Sequence, residues 1–154
     1  KKKYDLILWE DRKFADIGMI IAKQIRESLY CYDMWVDVFS IHSLMGDNTI
    51  LSLMHLPFKW ILIGEMSPID NLMKNEYVSA SLDIYHRYDN IIGFVTQHDM
   101  GKDVVHIVPG ISQIERGDSA GQCYSTPLER QFADFYVVGR SINDWFNIPE
   151  YEIH

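Results

Sequence analysis

Cysteine is scarce in this chain of 154 residues, with only Cys31 and Cys123. Two thiols exclude a disulfide framework, and no Cys/His spacing has the form of a zinc site. Positive charge is also short: 14 Lys+Arg against 22 Asp+Glu leave a net charge of −8. A general nucleic-acid or membrane-surface binder needs a basic face, so neither class of partner is expected. An anionic small substrate stays open, because the field inside a pocket can oppose the global charge. No apolar run approaches the length of a membrane span, and no Asn-x-Ser/Thr sequon occurs. Lys1–Lys3 are not followed by the apolar core of a secretion signal. A soluble, cytoplasmic protein is therefore expected. What is abundant is core material: 47% hydrophobic and 13% aromatic residues, enough to exclude disorder. The length fits one domain, residues 1–154.

Short β-branched and aromatic runs recur along the chain. They are Leu6–Trp9, Trp35–Phe39, Trp60–Ile63, Ile91–Val95, Val104–Val108 and Phe135–Val138. Runs of this kind suit strands buried on both faces, as in parallel sheets. Between the first two, Ile17, Ile20, Ile21, Ile25 and Leu29 fall on one helical face. Before the last, Thr126-Pro127-Leu128-Glu129 combines a capping box with proline at the first helical position, which predicts a helix start. Alternating strands and helices argue an α/β fold with parallel strands. About six strands are visible, against the eight of a closed (β/α)8 barrel. Spacing alone does not separate an incomplete barrel from a small open sheet.

The densest chemical signal is Glu10-Asp11-Arg12-Lys13-Phe14-Ala15-Asp16-Ile17-Gly18, at the C-terminal end of the first expected strand. Parallel α/β folds build their sites at that end. Asp11 and Lys13 are two apart, so on a strand they project from one side. A carboxylate beside an ammonium keeps both charged and makes the lysine a positioned proton donor. A surface ion pair with Asp16 capping the next helix accounts for the same spacing.

A second signal is Val137-Val138-Gly139-Arg140, where glycine admits a ligand to the backbone and the guanidinium matches phosphate. Upstream, Pro109-Gly110 leads into Gly117-Asp118-Ser119-Ala120-Gly121-Gln122-Cys123-Tyr124, a loop with the glycines to move and the Gln and Tyr to bond phosphate. Gly64-Glu65-Met66-Ser67-Pro68 is a weaker signal, with Ser67 either a ligand contact or a helix start. His42 and His98 read as structural, and Cys123 has no histidine at a useful spacing for a nucleophile.

Taken in order, these strings resemble the orotidine 5′-monophosphate decarboxylase family, and its eukaryotic branch most closely. The carriers are Asp11-x-Lys13-x-x-Asp16, Gly64-Glu65-Met66-Ser67, Gly93–Met100, Pro109-Gly110, Gly121-Gln122 with Tyr124, and Val138-Gly139-Arg140. The resemblance implies a (β/α)8 TIM-barrel type of fold with about six of the eight βα units here, strands three to eight of the barrel. It implies a dimer without metal or cofactor that converts orotidine monophosphate to uridine monophosphate, the last step of de novo pyrimidine nucleotide synthesis. By the same resemblance Lys13 delivers the proton to C6 and Asp11 holds the lysine beside the substrate carboxylate. Asp16 would reach into the partner subunit's site, and Ser67 would read the pyrimidine edge. Gln122, Tyr124, Gly139 and Arg140 would clamp the phosphate.

The departures from that pattern also carry weight. The family places a ribose-contacting Asp on its first strand and another lysine on its second; both are absent here. Ile20 stands where the family has Thr, and Ser125 where Arg is common. Three lysines directly before a buried strand suggest a break in a surface loop. The expectation is thus the larger piece of a two-piece barrel, with a companion chain supplying the first two βα units. Two other readings remain: a sugar-phosphate decarboxylase or aldolase of the same superfamily, and a non-catalytic nucleotide- or phosphate-binding homologue.

Overall fold

The computed structural model describes residues 4–68, 70–113, 121 and 123–142. These fall into two compact units, one of residues 1–64 and 74–94 and one of residues 65–73 and 95–154. Strand order follows chain order within each.

The first unit begins with β1 (Trp9–Phe14) and α1 (Gly18–Glu27), followed by a 3₁₀ turn at Tyr32–Met34. Then come β2 (Val38–His42), α2 (Asp47–Leu53), β3 (Lys59–Ile63), α3 (Asn75–Tyr85) and β4 (Ile91–Val95). β1 pairs parallel with β2, and β2 with β3 in unbroken register from Val38↔Lys59 to His42↔Ile63. Phe39 is the hub of the core. It is fully buried and meets Phe58 edge-on at 5.0 Å, Phe14 at 5.6 Å and Trp60 at 5.7 Å. Such aromatic contacts add stability beyond the area they bury. On the helical side Ile21 and Ile25 of α1 and Ile50 and Leu53 of α2 are buried. α1 approaches α2 closely because Gly18 has no side chain: a Cβ there would lie 2.0 Å from Ser52 Oγ.

The second unit contains β5 (His106–Pro109), a 3₁₀ turn at Pro127–Arg130 and β6 (Phe135–Val137). β5 and β6 pair parallel, Ile107↔Phe135 through Pro109↔Val137. Val104, Ile107, Val108 and Ile111 form its buried apolar centre.

Several sequence expectations shift. The first strand is Trp9–Phe14, not Leu6–Trp9, and Leu6 and Ile7 are exposed. Pairing overrides apolar propensity here: the Asp37 carboxylate takes the Leu8 amide at 2.9 Å, and the Leu8 carbonyl takes the Asp37 and Val38 amides. That anchor feeds the charged residues that follow into the strand. β2 likewise starts at Val38, because Trp35 and Val36 close the preceding 3₁₀ turn. β5 starts at His106, two residues late, since Val104 bonds back to Gly101 as a turn. Ile17 and Leu29 lie outside α1 and are exposed, so its buried stripe is Ile21 and Ile25.

The helix expected after Thr126 is a single 3₁₀ turn. The cap itself forms, with the Thr126 amide donating to Glu129 Oε2 at 2.7 Å. No residue of the turn is buried, however, and a helix gains most of its stability from packing an apolar face. Burial on both faces holds for β2 and β3, whereas β1 and β6 are largely half-buried or exposed.

Candidate active site

The first unit brings Asp11 and Lys13 together, as their spacing predicts. Lys13 Nζ forms an ion pair with Asp11 Oδ2, and both side chains are partly exposed. They sit inside β1 rather than beyond its end. The ladder to β2 runs Trp9↔Val38 and Glu10↔Phe39, then resumes at Phe14↔Ile41. Residues 11–13 therefore bulge, and Lys13 takes a left-handed backbone conformation with φ 52°. Bulges of this kind re-aim side chains, and non-glycine residues adopt positive φ only under compensation.

Ser40 of β2 faces that bulge. Its Oγ accepts the Lys13 amide at 2.9 Å and donates to Asp11 Oδ1 at 2.7 Å. His42, two residues further along the same face, has its pKa lowered by burial and then by the Lys13 charge, with Asp11 pulling the other way. The imidazole is thereby kept neutral beside the ammonium. Asp16 stands just before α1, where its Oδ1 accepts the Ile17 amide at 2.8 Å. The helix N-cap is Ile17 and has no side-chain cap bond, so capping of α1 by Asp16 in the ordinary sense does not occur.

In the second unit Ser67 is half-buried in the loop after β3. The loop is braced at both ends. Glu65 accepts the Thr96 hydroxyl at 2.8 Å, the Gln97 amide at 2.7 Å and His98 Nδ1 at 3.0 Å. Burial works to raise the Glu65 pKa, but these donors outweigh it and leave the carboxylate below its ordinary value. At the other end the Asn71 amide group donates to the carbonyls of Met66 and Pro68.

Tyr124 and Arg140 also come together in this unit, with Arg140 Nη2 donating to Tyr124 Oη at 2.9 Å. The strand-like segment behind Tyr124 is laid against residues 110–112: Ser125 donates to the Gly110 carbonyl and accepts from Ser112. Ser141 Oγ donates to the Ile111 carbonyl at 2.9 Å, so the turn carrying Gly139 and Arg140 is tied to the same segment. A guanidinium, a phenol and the backbone at a side-chain-free glycine are donors of the types that can bind phosphate. Gln122 and the Gly117–Ala120 stretch lie outside the described residues. Cys31 and Cys123 are both free thiols on the surface. Among the described residues no three His, Cys, Asp or Glu side chains gather as they would around a metal ion.

Residues 1–144 match the family described as Orotidine 5'-phosphate decarboxylase / HUMPS. The chain belongs to this family. Its sequential parallel strands and intervening helices are accordingly six strands of a (β/α)8 barrel. Curated relatives agree. The orotidine 5'-phosphate decarboxylase of Rhizomucor pusillus is 33% identical over 92% of this chain, and the match spans 58% of the relative. The enzyme of the same name from Mucor circinelloides f. lusitanicus is 35% identical over the same shares. The uridine 5'-monophosphate synthase of Bos taurus is 30% identical over 92% of this chain and 32% of its own length. The chain thus spans under three fifths of the length of these two decarboxylases.

Two groups, one in each unit, escaped sequence reasoning. Ser40 is a lone serine within an apolar strand and carries no pattern. Glu65 lay in a noted string, but its role depends on Thr96, Gln97 and His98, which sequence spacing does not join to it.

Proposed function

We propose that this chain is the catalytic part of an orotidine 5′-monophosphate decarboxylase, a lyase acting in the last step of pyrimidine nucleotide synthesis. The observation that carries the reading is the Asp11–Lys13 ion pair on a bulged strand of this family's barrel. The substrate's C6–carboxylate bond breaks, carbon dioxide leaves, and the bonding electrons stay on C6. Lys13 Nζ donates a proton to that carbon and is reprotonated from solvent, giving uridine monophosphate. Asp11 aims the lysine, and its own charge next to the substrate carboxylate disfavours the ground state relative to the transition state.

Ser67 reads the pyrimidine edge, while Gln122, Tyr124, Gly139 and Arg140 hold the phosphate. Binding energy from that remote group supports the chemical step. The protein acts in the cytoplasm as a homodimer with shared sites, to which Asp16 contributes across the interface. The first two βα units complete the site, whether joined to this chain or supplied by a companion chain.

The test is ultraviolet-monitored decarboxylation of orotidine monophosphate by the whole protein, with Lys13→Ala as control. Turnover that disappears in the control supports the reading. Nucleotide binding without turnover would favour a non-catalytic phosphate binder, which Ile20, half-buried on α1, also suits. A strict magnesium requirement would favour a sugar-phosphate decarboxylase or aldolase.

A further inference from the structure

We propose that Ser40 is a positioning residue that sets both members of the Asp11–Lys13 pair through its single hydroxyl; the inference deepens the decarboxylase reading and rests on it. Ser40 is fully buried in β2, between Phe39 and Ile41. Those two neighbours are the β2 residues that pair with Glu10 and Phe14 of β1. Ser40 alone therefore faces the three bulged residues Asp11, Arg12 and Lys13, where the regular ladder is interrupted.

The polarity of its bonds leaves no choice. A backbone amide only donates and a carboxylate only accepts, while a hydroxyl has one proton to give and lone pairs to receive. Ser40 Oγ must accept from the Lys13 amide, at 2.9 Å, and donate to Asp11 Oδ1, at 2.7 Å. One atom thus does two things. It satisfies the amide that the bulge removes from the ladder, which offsets the cost of the left-handed backbone at Lys13. It also occupies Oδ1, so that Oδ2 is the oxygen presented to Lys13 Nζ. The root of the lysine and the carboxylate that meets its tip are referenced to one buried point. Alanine keeps the backbone and nearly the volume but loses both bonds. Threonine keeps the hydroxyl and adds a methyl; cysteine keeps the shape with a weak donor and acceptor.

The experiment compares Ser40→Ala, Ser40→Cys and Ser40→Thr with the parent in the whole protein, by steady-state kinetics and by amide hydrogen exchange at Lys13. For Ser40→Ala the expected result is a fall in kcat of about 100-fold, the scale of an ångström-level misplacement of a reacting group. KM for orotidine monophosphate stays within about twofold, because no binding group is touched. Exchange at the Lys13 amide speeds up while the Phe39 and Ile41 amides keep their protection. Ser40→Cys falls between, and Ser40→Thr restores kcat at least tenfold over alanine, in line with a role for the hydroxyl. Parent-like kcat with unchanged Lys13 exchange in a folded Ser40→Ala overturns the proposal. So does faster exchange along all of β2, which would make Ser40 merely structural. If Ser40→Ala fails to fold, the cysteine variant carries the same two readouts. A parent without turnover would sink the decarboxylase reading, and the exchange pattern would then decide Ser40 by itself.

Discussion

At the scale of single residues, two glycines that look alike in sequence do opposite work. A Cβ on Gly64 would fall 2.2 Å from ring atoms of Phe94, which is fully buried and has nowhere to move. Gly64→Ala is therefore expected to destabilise the protein by about 1–3 kcal/mol, read as a lower thermal midpoint. A Cβ on Gly139 would meet nothing within 4 Å. Gly139→Ala should melt with the parent yet raise KM for the nucleotide, because the methyl occupies space that the proposed phosphate needs. An unchanged KM would remove Gly139 from the phosphate site.

His42 makes a second residue-scale prediction, with a definite sign. Burial, then the charge of Lys13, lowers its pKa below the ordinary 6.5. The unfolded chain takes up that proton at a higher pH than the folded one, so stability rises with pH through the interval below 6.5. Above that value the contribution is complete; as pH falls it is lost, levelling off beneath the lowered folded value. Thermal midpoints measured between about pH 5 and 8 should show this slope in the parent and a flatter one in His42→Gln.

At the scale of elements, a phenol helps tie α3 to the sheet. Tyr77 Oη donates to the Ile63 carbonyl at 3.0 Å, at the end of β3, and accepts the Ser43 amide at 3.2 Å, just past β2. Tyr77→Phe leaves that amide and carbonyl unpaired in a buried setting, at an expected cost of about 1–3 kcal/mol. Denaturant unfolding should show a lower midpoint at constant slope; an unchanged midpoint would mean that water replaces the phenol. The 3₁₀ turn at Pro127–Arg130 shows the reverse situation. Its cap chemistry was readable from Thr126, Pro127 and Glu129, but Leu128 is 79% exposed and offers no buried face on which to grow a helix. Local signals start an element, and packing decides how long it runs.

At the scale of the whole molecule, the shared-site proposal makes a quantitative statement. In a homodimer where Lys13 and Asp16 of different subunits serve one site, Lys13→Ala and Asp16→Ala are each expected to be inactive. Mixed under exchange at equal amounts, half of the dimers are hybrids, each with one intact site of two, so about a quarter of the parent's activity returns. A mixture that stays dead places both residues in the same subunit's site.

The residue types, their order and their spacing determined the alternation of strand and helix, the family to which the chain belongs, and the Asp11–Lys13 pairing. The alternation and the pairing follow from local rules of propensity and side-chain direction, and the family from the order of its motifs, so all three can be read along one dimension. Strand limits were not readable in this way, since the Asp37–Leu8 bonds carry β1 past its apolar run into charged sequence. Nor was the bulge at Lys13 readable, nor Ser40 as the residue behind it: a serine in an apolar strand has meaning only once β1 lies beside β2 in a given register. Glu65 likewise became a bracing residue only when its loop met Thr96, Gln97 and His98, some thirty positions on. Hydrogen bonds between distant segments depend on register and close packing, and those are properties of the folded chain alone.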